Sequence, residues 1–275
     1  MSHVPRRPLN DGHSIPAIGL GTYPLDDDEA DAAVGSALQL GYRLIDTAVA
    51  YGNEAGVGRA IAGSGVPRAE LVVTTKLPGR DHGFEQTLAS FEQSRVRLGL
   101  EYIDLYLIHW PLPRIDRYVE SWRAMIRLQR EGVVLSIGVS NFTAAQIDRL
   151  ETETGVLPAV NQIELHPHFP QGAMLDYNRA KGIATQSWSP VGRGDLLHDA
   201  TISAIASAHR VSPAQVILRW HFQRDAIPIP KSATPARQAA NLDVFRFELT
   251  DREITAISGL GQRRLGGDPD THEEF

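Results

Sequence analysis

Short apolar runs alternate along this chain with longer stretches in which apolar positions recur at helical spacing. Ala17 to Leu20, Tyr42 to Asp46, Leu71 to Lys76, Ile103 to Ile108, Val133 to Val139, Ala159 to Ile163, Ile183 to Ser187 and Ala226 to Ile229 read as strands. Asp28 to Leu40, Glu54 to Ala62, Phe84 to Leu98, Tyr118 to Arg130, Ala144 to Thr152, Gly172 to Lys181 and Ser212 to Phe222 read as helices between them. Alternating strand and helix implies a parallel sheet. Eight strands at roughly thirty-residue spacing predict an α/β fold closed as a (β/α)8 TIM barrel rather than an open doubly wound sheet.

The turns carry matching signals. Gly41, Gly99, Gly132, Gly155 and Gly182 each follow a helical stretch, where a residue in the left-handed region stops the helix. Pro213 and Pro235 suit first turns behind Ser212 and Thr234 as caps. Asp11-Gly12, between Pro8-Leu9 and Ser14-Ile15, predicts an N-terminal β-hairpin that lids the lower end of the barrel. No linker, low-complexity tract or charge block divides the chain, so residues 1–275 are expected to form a single domain. Gly266-Gly267-Asp268-Pro269 predicts a mobile tail.

Composition narrows the function classes. A hydrophobic content of 42% over 275 residues is enough for a sizeable core. A net charge of -6, with no cluster of Lys or Arg, argues against a nucleic-acid partner. The chain has no cysteine, which removes disulfides, thiolate nucleophiles and Cys-ligated zinc and fits a reducing compartment. The opening Met-Ser-His-Val-Pro-Arg-Arg-Pro leads into no signal-like apolar run, and no stretch approaches the about 18 apolar residues of a membrane span. A soluble, cytoplasmic monomer with no membrane contact is therefore expected.

The residues that end the strands carry the candidate chemistry. Asp46, Lys76 and His109 close three successive apolar runs, and Tyr51 lies just beyond Asp46. A parallel barrel brings such positions to one rim, where its chemistry resides. Taken singly, Asp46 and Lys76 read as a structural ion pair and Tyr51 as loop packing, while His109 reads equally as a core histidine or a functional group. Together they make general acid chemistry: a cation beside a phenol favours its ionised form and eases proton donation. Asp46 would hold Lys76, Lys76 would tune Tyr51, and His109 would donate to the oxygen that Tyr51 protonates. The target of such a set is a carbonyl.

Reducing a carbonyl requires a hydride from a nicotinamide or a flavin. The Gly-x-Gly-x-x-Gly fingerprint after a strand is absent, since Gly19-Leu20-Gly21-Thr22 matches in part and Gly56-Val57-Gly58 follows no strand. Late in the chain, Ile229-Pro230-Lys231-Ser232 and Thr234-Pro235-Ala236-Arg237 bring two cations, hydroxyls and a helix start together. That combination suits a phosphate. Read alone, the same segment is a solvated, lightly basic turn.

Asp46-Thr47-Ala48, Tyr51-Gly52-Asn53-Glu54, Thr75-Lys76, Tyr106-Leu107-Ile108-His109-Trp110, Gly138-Val139-Ser140-Asn141-Phe142, Asn161-Gln162-Ile163-Glu164, Ser189-Pro190 and Ile229-Pro230-Lys231-Ser232 follow one another in order. With these motifs the chain resembles the aldo-keto reductases, in the bacterial branch that includes 2,5-diketo-D-gluconic acid reductase. The resemblance runs from the hairpin to about Ile257. It implies NADPH-dependent reduction of small aldehydes and ketones, with Tyr51 as acid, Lys76 and Asp46 as its tuning pair, and His109 orienting the substrate beside Tyr23 and Trp110. It also implies that Ser140, Asn141 and Gln162 hold the nicotinamide carboxamide and that Trp188 stacks on the ring. Ser189 and Val191 would meet the pyrophosphate, and Ile229, Lys231, Ser232, Ala233, Arg237, Ala240 and Asn241 the adenosine end. Lys231, Ser232 and Arg237 favour NADPH over NADH, because their donors match a 2′-phosphate.

Three positions depart from the family pattern. Trp188 stands where many relatives have tyrosine, Pro78 where many have tryptophan, and Ala240 where several have an acid over the adenine. The second removes an aromatic wall from the substrate pocket and leaves substrate size open. Two other readings stand beside this one. A barrel metal hydrolase would use His166 and His168 with Asp46 or His109. A non-catalytic subunit would sense NADPH on the same barrel, and turnover separates it from an enzyme.

Overall fold

The computed structural model describes residues 4–274; the opening residues weighed above for a signal region lie partly outside that range. Strands β1 (Arg6–Pro8) and β2 (Ser14–Pro16) pair antiparallel as the predicted hairpin. Ile15 is buried with Leu44, Val72, Leu105 and Val160, which lie low in the barrel strands, so the hairpin closes the end where those strands begin.

Eight strands then lie side by side in chain order: β3 (Leu20–Gly21), β4 (Leu44–Asp46), β5 (Val72–Leu77), β6 (Ile103–Ile108), β7 (Val134–Ser140), β8 (Val160–Glu164), β9 (Ala184–Trp188) and β10 (Ala226–Pro228). Each neighbouring pair is parallel. Backbone N–H groups of Gly19 and Gly21 donate to the carbonyls of Pro228 and Pro230, both at 3.1 Å, and join the last strand to the first. Strand β3 is shorter than the predicted Ala17 to Leu20, because Ala17 N–H donates to Pro5 instead of to a barrel neighbour.

Around the sheet run α1 (Asp27–Leu40), α2 (Glu54–Gly63), α3 (Phe84–Leu98), α4 (Tyr118–Arg130), α5 (Ala144–Thr154), α6 (Gly172–Ala180), α7 (Ala200–His209), α8 (Pro213–Gln223), α9 (Pro235–Leu242) and α10 (Asp251–Ser258). The five predicted stop glycines all have positive φ, from 63° to 105°. Ser212 caps α8 as predicted by accepting from Gln215 N–H, whereas the Thr234 side chain makes no such bond at α9. Helices α7 and α10 have no counterpart among the predicted helices; α7 is rich in Ala and Ser and buries only Ile202, Ile205 and Ala206. Among the described residues no helix is long and apolar enough to cross a membrane.

Strand alternation divides the barrel interior into layers. Leu44, Val72, Leu105, Val160 and Ile227 fill its lower part with apolar side chains. Further along the same inward faces stand Asp46, Lys76, Gln162 and Gln186, all buried. The tail corrects the expectation of mobility at Gly266 to Pro269. Leu265 and Gly266 donate their backbone N–H groups to the buried Glu164 carboxylate, and Asp268 accepts from Thr271 and His272, so the segment crosses the rim as a fixed strap.

Candidate active site

Four elements deliver the rim residues. Asp46 is the last residue of β4, Lys76 the fifth of β5, and His109 follows β6 directly. Tyr51 ends a short 3-10 turn, Val49–Tyr51, which stops at Gly52 in the left-handed region. Asn53 accepts from the Thr47 hydroxyl at 2.6 Å and donates to the Leu25 carbonyl at 2.8 Å, fixing that turn to the neighbouring loop.

Lys76 Nζ donates to Asp46 Oδ1 at 2.7 Å, to the Thr47 carbonyl at 3.0 Å and to the Tyr51 hydroxyl at 3.3 Å. An ammonium has three donors, and all three are used. The other Asp46 oxygen accepts from Gln162 Nε2 at 2.7 Å, and Gln162 also donates to Gln186 Oε1 at 2.9 Å. A chain of contacts thus runs from Gln186 through Asp46 and Lys76 to the phenol. Tyr51 meets His109 edge-on with ring centroids 5.7 Å apart and Tyr23 at 5.2 Å.

Burial pushes the Tyr51 phenol above its ordinary pKa, and the charge and hydrogen bond of Lys76 pull it down without full compensation. The expectation that the cation would favour the ionised phenol is corrected to this extent. The hydroxyl keeps its proton, as a general acid must before it acts. Burial also works against the Lys76 charge, but Asp46 and Tyr51 outweigh it and raise the ammonium's pKa.

The carboxamide candidates stand together. Ser140 ends β7, Asn141 follows at positive φ, and Gln162 lies on β8. Asn141 Nδ2 donates to the His109 carbonyl and the Ser140 hydroxyl, both at 3.1 Å, and its Oδ1 accepts from Trp188 Nε1 at 2.8 Å. Half-buried Trp188 is pressed by the tail: a Cβ on Gly266 would fall 2.3 Å from its Cη2. Ser189 has positive φ, and the carbonyl of the next residue, Pro190, accepts from buried His221 Nε2 at 3.0 Å. Val191 is half-buried beside the turn 192–198.

Among the residues expected at the adenosine end, Lys231, Ala233 and Arg237 are exposed and Ser232 is buried. Neither Lys231 nor Arg237 has a carboxylate partner among the described residues. They flank the start of α9, whose first amides lack a side-chain cap. Two unpaired cations at an uncapped helix start fit a phosphate. Ile229 instead points into the barrel, and Asn241 is buried beside Tyr42, whose phenol burial holds well above its ordinary pKa although Asn241 pulls against that rise. Ala240 is half-buried.

The substrate candidates differ in exposure: Tyr23 is 63% exposed and Trp110 is buried, with its ring 4.0 Å from that of His272 in the tail. Three residues at the rim have contacts there to which the sequence reading assigns no role. Glu164 anchors the tail, Gln186 supports Gln162, and Glu274 places Oε1 2.7 Å from His109 Nδ1. Glu164 was legible as part of a motif, but the return of the tail was not. His166 turns Nε2 to Glu164 at 2.9 Å, and no group of three or more His, Asp or Glu suited to a metal occurs among the described residues.

The family model described as "Aldo/keto reductase family" matches residues 17–262. 2,5-diketo-D-gluconic acid reductase B of Corynebacterium sp. is 52% identical, with 100% of each chain covered. Morphine 6-dehydrogenase of Pseudomonas putida is 48% identical over 95% of this chain and 93% of its own. A crystal structure of a Gox0644 mutant in complex with NADPH superposes with a TM-score of 0.95 at 43% identity, covering 99% of this chain and 100% of that one.

Proposed function

Because the chain belongs to the aldo/keto reductase family, we propose that it reduces aldehyde and ketone carbonyls to alcohols, with Tyr51 as general acid and NADPH as hydride source. The observation that carries the reading is the three-way grip of the buried Lys76 ammonium on Asp46, Thr47 and Tyr51. When bound, NADPH supplies the hydride that goes to the carbonyl carbon.

The residues of the chain do the rest. Tyr51 gives its proton to the carbonyl oxygen, and Lys76 stabilises the phenolate left behind by charge and by its hydrogen bond. Asp46 keeps Lys76 charged, and Gln162 holds Asp46 in line. His109, edge-on to Tyr51, orients the same oxygen, while Tyr23 and Trp110 wall the entrance. Ser140 and Asn141 offer the hydroxyl and amide suited to a carboxamide, and Trp188 the flat surface suited to a ring. Lys231, Ser232 and Arg237 present donors for a 2′-phosphate, next to Ala233 and Ala240. The described chain acts as one catalytic domain on a small-molecule substrate, in the cytoplasm and as a monomer.

Following NADPH absorbance while a panel of carbonyl compounds is screened tests the reading. Carbonyl-dependent oxidation of NADPH is expected. Tight NADPH binding without turnover would instead identify a sensing subunit.

A further inference from the structure

We propose that Glu274 is a specificity determinant that disfavours carbonyl substrates carrying a carboxylate of their own, an assignment that rests on carbonyl reduction at this rim. Its carboxylate lies 2.7 Å from His109 Nδ1, with a side chain only 17% exposed. Its backbone lies against Gly79, where a Cβ would fall 2.1 Å from the Glu274 carbonyl oxygen. The contacts with His109 and Gly79 hold its pKa below the usual carboxylate range, overcoming burial, so the group is an anion at neutral pH.

The position of this charge is fixed by the strap that carries it. Glu164 holds Leu265 and Gly266 by their backbone N–H groups, with Gly266 against Trp188. Further along, His272 packs on Trp110, and Glu273 pairs with Arg114 at 3.0 Å. Glu273 therefore neutralises an exposed cation on the loop that follows β6 and His109. With these attachments made, a carbonyl that displaces Glu274 from His109 moves the carboxylate aside without removing it from the entrance. A neutral substrate exchanges one polar contact for another. An anionic substrate meets a like charge in a poorly solvated place.

The test compares para-carboxybenzaldehyde with its neutral counterpart para-carbamoylbenzaldehyde, using NADPH and either the unaltered protein or Glu274→Gln, which keeps the size and removes the charge. The ratio of kcat/KM for acid over amide is expected to rise about tenfold in the variant. In the unaltered protein the same ratio should rise with ionic strength, a readout that needs no substitution. An unchanged ratio in both experiments overturns the assignment, as does an equal gain for both aldehydes, which would mark Glu274 as an obstacle to any carbonyl. A protein that reduces neither aldehyde fails the reading of carbonyl reduction itself, and the role of Glu274 falls with it.

Discussion

Lys76 is wholly buried and spends every donor on a named oxygen, whereas Lys231 and Arg237 stand in solvent with no carboxylate partner among the described residues. The two regions sit on one rim and handle positive charge in opposite ways. A buried ammonium must be paired, since desolvation costs several kcal/mol per ion. The price of that pairing is that Lys76 has no contact left for an incoming group, so its work is confined to the phenol. The exposed cations are free to meet an anion. The difference separates a preorganised acid from an open binding corner, and each half predicts its own mode of failure.

The largest expected effect is at the acid. Tyr51→Phe removes the donated proton and leaves the ring packing against Tyr23 and His109. Carbonyl reduction should fall by about 10²–10⁴-fold. NADPH affinity, read by fluorescence titration, should hardly move. A variant that keeps its rate would break the distinction at its strongest point.

Next comes the buried pair. Lys76→Met leaves Asp46 buried with only Gln162 donating to its side chain. Such a loss costs about 3–5 kcal/mol of folding stability. Chemical denaturation checks it, and Arg237→Ala is the matched control: an exposed cation with no partner should change stability by no more than about 0.5 kcal/mol. Equal destabilisation by the two would erase the contrast.

Arg237→Ala sharpens the other half. A hydrogen bond to a charged group is worth about 1.5–3 kcal/mol, so the KM for NADPH should rise roughly tenfold or more while that for NADH changes little. Steady-state kinetics with both cofactors decides it. Equal changes would remove Arg237 from the 2′-phosphate.

How much of this could be read beforehand follows the range of the interactions. Asp46, Lys76 and His109 were legible because a polar residue that closes an apolar strand stands out, and a parallel barrel brings strand ends to one rim. The stop glycines and the Ser212 cap were legible because helix ends are local. Glu274 was not, since its meeting with His109 spans the length between β6 and the tail and depends on a backbone turn at 265–272 that glycines made look mobile. Helix α7 was lost because its Ala and Ser positions blur the boundary between inward and outward faces. The direction of the Tyr51 shift was missed for a different reason. Sequence displays the neighbouring cation but not the depth of burial that outweighs it.

The smallest effect concerns the support beneath the turn at Ser189 to Val191, and it asks whether the proposed binding corner is as loosely built as its exposed cations suggest. His221 is fully buried and donates from Nε2 to the Pro190 carbonyl, and burial depresses its pKa from 6.5 to about 3. In the folded protein the ring is neutral over the range where the unfolded chain already binds a proton. Its contribution is therefore fully present above pH about 6.5 and is lost as pH falls toward about 3, at close to 1.4 kcal/mol per pH unit well below the upper value. Replacing it in His221→Gln keeps a donor for Pro190 and removes the titration. The variant's stability should thus depend on pH less steeply, by about one proton, between pH 6 and 4, as measured by denaturation at a series of pH values. An unaltered slope would mean that the ring is not held neutral, and that Ser189 and Val191 rest on a support as open to solvent as the cations at α9.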